Sequence, residues 1–349
     1  MNLQYCGSSS PVNKFRFGAL FDVIGNVWQW TESLFYAFKG FEVYPLYEDF
    51  STPTFDGQHN IIKGGSWAST GNLAVRDSRF AFRRHFYQHA GFRYLESSEE
   101  VQTFESDYID DPLVVEECER GWGENEYCFA NLSEELAKRS IALAKNKKKA
   151  LVVGCGTGRT VFELARDFDE VEGIDSSARV FRVAVAMKAK GNIHYILKSE
   201  GDNVTIKEKY LDSYKLSSTK ERVSFFQADA ANLKQMYKDY DLIIAEVMLN
   251  KTYDPKHFLE MIHDRINKDG ILVVAHSPQW SEDITTKDNW LGGYRGDDGE
   301  IVLSATTIDR ILEKKFNKIG KSSKISYLVS NEESQMLLKV ADVTFWQIR

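Results

Sequence analysis

From residue 127 to the C-terminus the sequence predicts an α/β domain, a doubly wound and mostly parallel sheet, and three observations predict it. Short apolar runs alternate with stretches of helical periodicity, the pattern of strands joined by crossover helices. A glycine-rich turn, Gly154-Cys155-Gly156-Thr157-Gly158, separates the first such strand from the helix it feeds. Acidic residues then close successive strands at Asp175, Asp229 and Glu246. A chain of 349 residues holds such a domain and a smaller unit before it.

That smaller unit is marked by composition. Aromatic residues occupy 21 of the first 97 positions and 24 of the remaining 252, so residues 1–97 are expected to form a separate, irregular α+β body. The stretch Glu96 to Glu126 follows, with twelve carboxylates and one basic residue, Arg120. Such a segment buries little apolar surface and repels itself, which predicts an acidic linker over 98–126.

Within 127–349, Leu132 to Ala144 reads as a helix and Ala150 to Val153 as a buried strand. Val161, Leu164, Ala165 and Phe168 fall at i, i+3, i+4 and i+7, one apolar face of the next helix. Further strands are predicted at 171–174, 223–227, 241–247 and 271–275, with helices near 178–190, 255–267 and 305–318. The interval from Asp175 to Asp229 is long for this arrangement. It predicts an inserted hairpin, His194 to Leu197 with Val204 to Lys207, placed to roof a substrate or mediate a dimer. The last runs, 324–329 and 339–347, are joined by a polar segment too short for a helical crossover. They are expected to pair antiparallel at one sheet edge, completing seven strands.

Bulk properties narrow the function. Hydrophobic content of 43% and charged content of 27% are those of a globular protein. A formal charge of −7 argues against nucleic acid as the main partner. No apolar run reaches the roughly 18–20 residues of a membrane span. The segment MNLQYCGSSS has neither the basic nor the apolar region of a secretory signal. The four cysteines, Cys6, Cys118, Cys128 and Cys155, form no CxxC pair. These features together lead us to expect reduced thiols and a cytoplasmic protein that binds no metal through cysteine.

The glycine turn suits close approach of backbone to a ligand. A dinucleotide fingerprint needs a third glycine where Arg159 stands, so the spacing is G-x-G-x-G and not G-x-G-x-x-G. Asp175 ends the second strand seventeen residues past Gly158, where a carboxylate accepts ribose hydroxyls. This order of elements resembles class I methyltransferases. The resemblance implies S-adenosylmethionine as cofactor, held by Gly154, Cys155, Gly156, Gly158, Asp175, Ser176, Asp229, Ala230 and Glu246. In that family the acid after the third strand commonly holds the adenine amino group.

Two further resemblances are more specific. FGALFDVIGNVWQWTES, KGGSWAST and RFAFRRHFYQHAGFRY resemble the closing part of the sulfatase-modifying-factor (formylglycine-generating) fold. SPQWSEDITTKDNWLGG and VADVTFWQIR resemble the C-terminal half of the ovothiol biosynthesis enzymes. Those fuse an iron-dependent 5-histidylcysteine sulfoxide synthase to a 4-mercaptohistidine N1-methyltransferase. The synthase half of that family carries an H-x-x-x-H-x-E iron motif in an upstream region, absent from this sequence. His85-x-x-x-His89 is the one similar pair, but Ala90 and Gly91 follow it with no acid to complete the set, so a packing role is expected there.

The resemblance therefore implies N-methylation of the imidazole ring of 5-thiohistidine (4-mercaptohistidine). Ligands of doubly wound sheets bind beyond the C-terminal strand ends. This singles out Asn250 and Tyr253 after the fourth strand and Ser277, Gln279, Trp280, Trp290 and Tyr294 after the fifth. The two tryptophans either flank the acceptor ring or anchor their own loop. Gly292-Gly293 makes either a close turn or a hinge. Two other functions stay open: methylation of another metabolite or a protein side chain, and a non-catalytic partner docking on a separate synthase through residues 1–97.

Overall fold

The computed structural model describes residues 5–349 apart from 36–37, 39–40, 42–53, 55–58, 86–88, 95, 97, 99–107, 110, 125–128, 202 and 297. The chain forms two compact units, Met1–Asp107 and Tyr108–Arg349.

In the first unit a four-stranded sheet has the order Phe80–Arg83, His59–Lys63, Trp28–Leu34, Ala90–Phe92, with only the last pair parallel. Ile61 and Ile62 are buried on it. Side chains also tie its loops together. Asn26, buried and left-handed at φ 69°, exchanges two hydrogen bonds with the Ser10 backbone at 2.6 and 2.9 Å. Arg93 donates to the carbonyls of Phe21 and Asp22 and to Gln29.

The second unit opens with a helix inside the predicted linker, α1 (Pro112–Trp122). Asp111 caps it by accepting from the amides of Leu113 and Val114, and Pro112 sits where no amide is needed. Val114, Val115, Cys118 and Trp122 lie on one face and are buried. The linker expectation therefore fails for 112–122, because a count of charges overlooks their arrangement. Glu116, Glu117 and Glu119 each find a partner, in Lys339, Arg120 with Lys251, and the Tyr195 hydroxyl. The parts of the expected linker at 99–107, 110 and 125–126 lie outside the described residues.

There follow α2 (Leu132–Leu143), capped by Asn131, then β1 (Lys149–Val153), α3 (Arg159–Leu164), β2 (Glu170–Asp175) and α4 (Ala178–Lys190). The predicted hairpin is present as β3 (Asn192–Lys198) and β4 (Val204–Tyr210), and β5 (Val223–Gln227) and β6 (Tyr240–Glu246) come next. The chain ends with α5 (Pro255–Met261), β7 (Ile266–His276), α6 (Ser304–Leu312), β8 (Phe316–Glu332) and β9 (Gln335–Ile348).

The sheet order is β4-β3-β8-β9-β7-β6-β1-β2-β5, and the two-residue strand Tyr108–Ile109 beside β3 makes ten strands among the described residues. Its seven-stranded core, β8 to β5, is parallel except for the antiparallel pairings of β9 with β7 and β8. That is the fold class expected, with one correction at the edge. The β8–β9 hairpin is internal, because β3 joins β8 at Lys198 and Glu332 and carries the inserted hairpin outward. The insertion widens the sheet. Helices cover both faces: Trp122, Leu132, Phe162 and Val183 lie in one core, Phe258, Ile308 and Leu312 in the other. Among the described residues no helix is long and apolar enough to cross a membrane.

Candidate functional site

The glycine turn is built as its sequence demands. Gly154, Gly156 and Gly158 have φ of 76°, 54° and 88°, where a side chain is strained. Space forbids one as well: a Cβ on Gly154 would lie 2.6 Å from that of Met248, and one on Gly158 would lie 2.7 Å from that of Ala184. Two consecutive amides, of Gly154 and Cys155, donate to the Ile174 carbonyl and stitch the turn to β2.

Asp175 completes that junction. Its Oδ2 accepts from the Gly156 amide and its Oδ1 from the Ser177 amide, both at 2.9 Å. Burial raises its pKa, and those two amides oppose the rise. Ser176 follows directly, its carbonyl accepting from Gln227. At the end of β5, Asp229 accepts from the Ala231 amide beside buried Ala230, and desolvation together with the Asp229 carboxylate raises the Tyr253 pKa. Burial pushes the Cys155 thiol up, so it stays protonated within the turn. All these groups meet at the C-terminal ends of β1, β2, β5 and β6, on both sides of the point where strand order reverses.

Glu246, at the end of β6, is 2% exposed. Its Oε1 accepts from Arg120 Nη1 at 2.7 Å and from Ser133 at 3.1 Å, while Oε2 is buried with no partner among the described residues. Arg120 also bonds Glu117 at 2.7 Å, and Glu117 bonds Lys251 at 3.0 Å. Burial alone would raise the Glu117 pKa, but Arg120 and Lys251 hold it down at about 2. Glu117, Arg120, Ser133 and Lys251 were not singled out by the sequence. The one available signal was that Arg120 is the sole cation of an acidic run.

The loop between β7 and α6 is pinned beside this site. Asn250 Nδ2 donates to the Gln279 carbonyl at 2.8 Å, Asn289 to the Tyr253 carbonyl at 2.9 Å, and Thr285 to the Thr252 carbonyl at 2.8 Å. Trp280 and Trp290 stack on each other with centroids 6.3 Å apart. Their indole N–H groups are satisfied by Ser304 and by the Thr285 carbonyl. A ring held between them would need planes about 7 Å apart, two stacking contacts of roughly 3.5 Å. The pair thus anchors its loop, and no gap for an imidazole is left between the two indoles. Tyr294 is in a two-residue strand paired with Ile301–Val302. A Cβ on Gly292 would fall 2.2 Å from the Ser304 amide nitrogen, so this glycine serves a close contact and not a hinge.

In the first unit His85 and His89 lie between two strands, and His89 accepts a 3.3 Å hydrogen bond from the Trp67 indole. Among the described residues no cluster of three or more His, Cys, Asp or Glu is set to hold a metal.

The turn and its acids fit a nucleoside bearing a charged tail: there is backbone free of Cβ, a carboxylate for vicinal hydroxyls and an unpartnered buried carboxylate oxygen. Fold and site together define a class I, S-adenosylmethionine-dependent methyltransferase. Residues 124–315, more than half of the chain, match the methyltransferase domain family, and the chain belongs to it. Residues 4–97 match the sulfatase-modifying factor enzyme 1-like domain. Among curated proteins, Ergothioneine biosynthesis protein 1 of Neurospora crassa is 39% identical over 67 residues, 19% of this chain and 8% of that protein. Hercynine oxygenase of Mycobacterium tuberculosis is 38% identical over 63 residues, 17% of this chain and 15% of that protein. The match to these relatives thus spans less than a fifth of their length. Among solved structures, the N-methyltransferase NodS of Bradyrhizobium japonicum is 15% identical, with a TM-score of 0.40, covering 64% of this chain and 99% of that one.

Proposed function

We propose that this chain transfers the methyl group of S-adenosylmethionine to a ring nitrogen of 5-thiohistidine. The observation that carries the reading is the joining of a sulfatase-modifying-factor-type unit to a methyltransferase domain in one chain. It is supported by relatives named for ergothioneine, a compound that is itself a thiolated histidine derivative. A cytoplasmic setting and a small-molecule acceptor, with neither nucleic acid nor membrane as partner, fit the same reading.

The bound donor supplies a methyl already activated on a sulfonium, so the protein's task is alignment and exclusion of water. Asp175 holds the ribose, and Asp229 with Ala230 borders the base. Asn250 fixes the acceptor. Its amide nitrogen is committed to Gln279, which leaves Oδ1 as an acceptor, buried and without a partner among the described residues. A ring N–H bound there leaves the other ring nitrogen with its lone pair free. That nitrogen forms the new N–C bond as the C–S bond breaks, and the ring N–H proton then passes to water. Tyr253 and Tyr294 line the approach.

The test is incubation of the whole chain with S-adenosylmethionine and 5-thiohistidine, followed by mass analysis and NMR of the product. We expect one added methyl, on a ring nitrogen, with histidine used at least about a hundredfold less efficiently, because a site built for a polar group rejects analogues lacking it. Methylation at sulfur, or equal rates with histidine, would sink the proposal.

A further inference from the structure

We infer that β4 is the contact between two copies of this chain, pairing antiparallel with the β4 of the second copy about a two-fold axis through Lys207. β4 ends the ten-stranded sheet, and among the described residues no strand pairs with its outer side. Its backbone shows which groups are open. Leu211 donates to the Gly191 carbonyl and Ser199 to the Asn203 carbonyl, so the hydrogen-bonded pairs of this antiparallel hairpin fall on the odd-numbered residues of β4. Val204, Ile206, Glu208 and Tyr210 therefore turn their N–H and C=O groups to the free edge. Such an edge is commonly blunted by proline, a bulge or outward lysines. β4 uses none of these. It contains no proline or glycine, and its register with β3 runs unbroken over seven pairs. Its two lysines are drawn inward: Lys209 is buried with Glu124 at 3.4 Å, and Lys207 reaches Glu333 at 3.6 Å. What remains at the edge is largely apolar, with Val204 and Ile206 half exposed and Tyr210 40% exposed.

The strand's own sequence selects the occupant. Centred on Lys207, two antiparallel β4 strands overlap in full, and every outward-facing residue meets another. Val204 opposes Tyr210 of the second copy and Ile206 opposes Glu208, so the two-fold makes four hydrogen-bonded pairs. Val204 with Tyr210 is an aromatic and β-branched pair, a favoured cross-strand combination, and it recurs at both ends. Glu208 is held by the Tyr210 hydroxyl of its own strand at 2.9 Å. The two Lys207 side chains oppose each other at the axis, where each keeps Glu333 as its counter-charge. A slip of one position sets open backbone groups against committed ones, and a change of two in the pairing sum leaves three pairs instead of four. A second copy thus supplies the complement by symmetry. The inserted hairpin is in this way assigned to assembly, whichever acceptor the chain methylates.

Light scattering on the full chain at micromolar concentration tests it and should give the mass of two copies. A chain that stays single would overturn the pairing. Glu208→Pro removes an outward N–H, a change an edge strand tolerates on its free side. It should yield single chains, with unchanged S-adenosylmethionine affinity as the check on folding. A dimer that survives this substitution would overturn the role of the edge. Cysteine cross-linking gives an independent readout. Lys207→Cys sets two cysteines opposite each other in a non-hydrogen-bonded pair, with Cα atoms about 4.5 Å apart and within disulfide reach. Tyr210→Cys sets them on the order of 20 Å apart, from the rise of a strand. Mild oxidation should join Lys207→Cys chains in pairs and leave Tyr210→Cys at the background of the wild type. Failure of Lys207→Cys to cross-link, or equal cross-linking of the two variants, would overturn the two-fold through Lys207.

Discussion

Asn250 and Gln279 are joined by one 2.8 Å hydrogen bond from side-chain amide to backbone carbonyl, and that bond decides which way the amide faces. Asn250→Ala should therefore lower the turnover of thiohistidine about tenfold, the worth of one well-placed hydrogen bond, with donor affinity unchanged. Steady-state kinetics beside donor titration checks this. Full turnover in the variant would remove Asn250 from the site.

Asp175 should govern donor binding and its pH dependence. Asp175→Ala should weaken S-adenosylmethionine at least about tenfold. Burial raises the pKa of this carboxyl, and the ribose is held by its ionised form. Affinity should thus fall as pH drops through that raised value. Calorimetry between about pH 4 and 8 should show the fall in the wild type, and Asp175→Asn should flatten it.

Glu117 should show the opposite linkage, in stability. Its folded pKa is lowered from 4.5 to about 2, so its ionised form is favoured by folding. That contribution is fully present above the unfolded value and is lost as pH falls through the folded one. Glu117→Gln should accordingly be less stable than the wild type at neutral pH. The gap should close between about pH 5 and 2, read from denaturant midpoints across that range.

Gly158→Ala should damage fold and site together. The position has φ 88° and lies against Ala184 and Phe225, so both backbone strain and overlap oppose a methyl group. A loss of about 1–3 kcal/mol in unfolding free energy is expected, with donor binding weakened in parallel. A variant as stable as the wild type would contradict the packing described for the turn.

What the sequence disclosed follows from how each signal is encoded. The glycines of the turn and the acids closing β2, β5 and β6 are dictated by local backbone needs, so their spacing survives in one dimension. Helix ends were less legible. Ile308, Leu312 and Phe316 stay in helical phase, which extended α6 on paper beyond Leu312, although Phe316 opens a strand. β7 begins at Ile266, earlier than its apolar run, because Asn267, Lys268 and Asp269 are polar and Asp269 is left-handed. Trp280 and Trp290 stand ten residues apart after β7, and two indoles near a site read alike in sequence whether they hold a ligand or each other. Arg120 was hidden for another reason: its partner Glu246 lies 126 positions away, and no local pattern reports such a pairing.

The position of α1 bears on where this chain can be cut. A fragment started at residue 127, where the composition changes, would lack the helix whose Val114, Val115, Cys118 and Trp122 fill the core beside Phe162 and Tyr214. The remaining body would carry an open apolar trench, and Glu246 would lose its guanidinium. A useful severance point lies upstream of Tyr108, which begins the compact unit. The acidic run that looks like a tether between two bodies is, over α1, the first piece of the second.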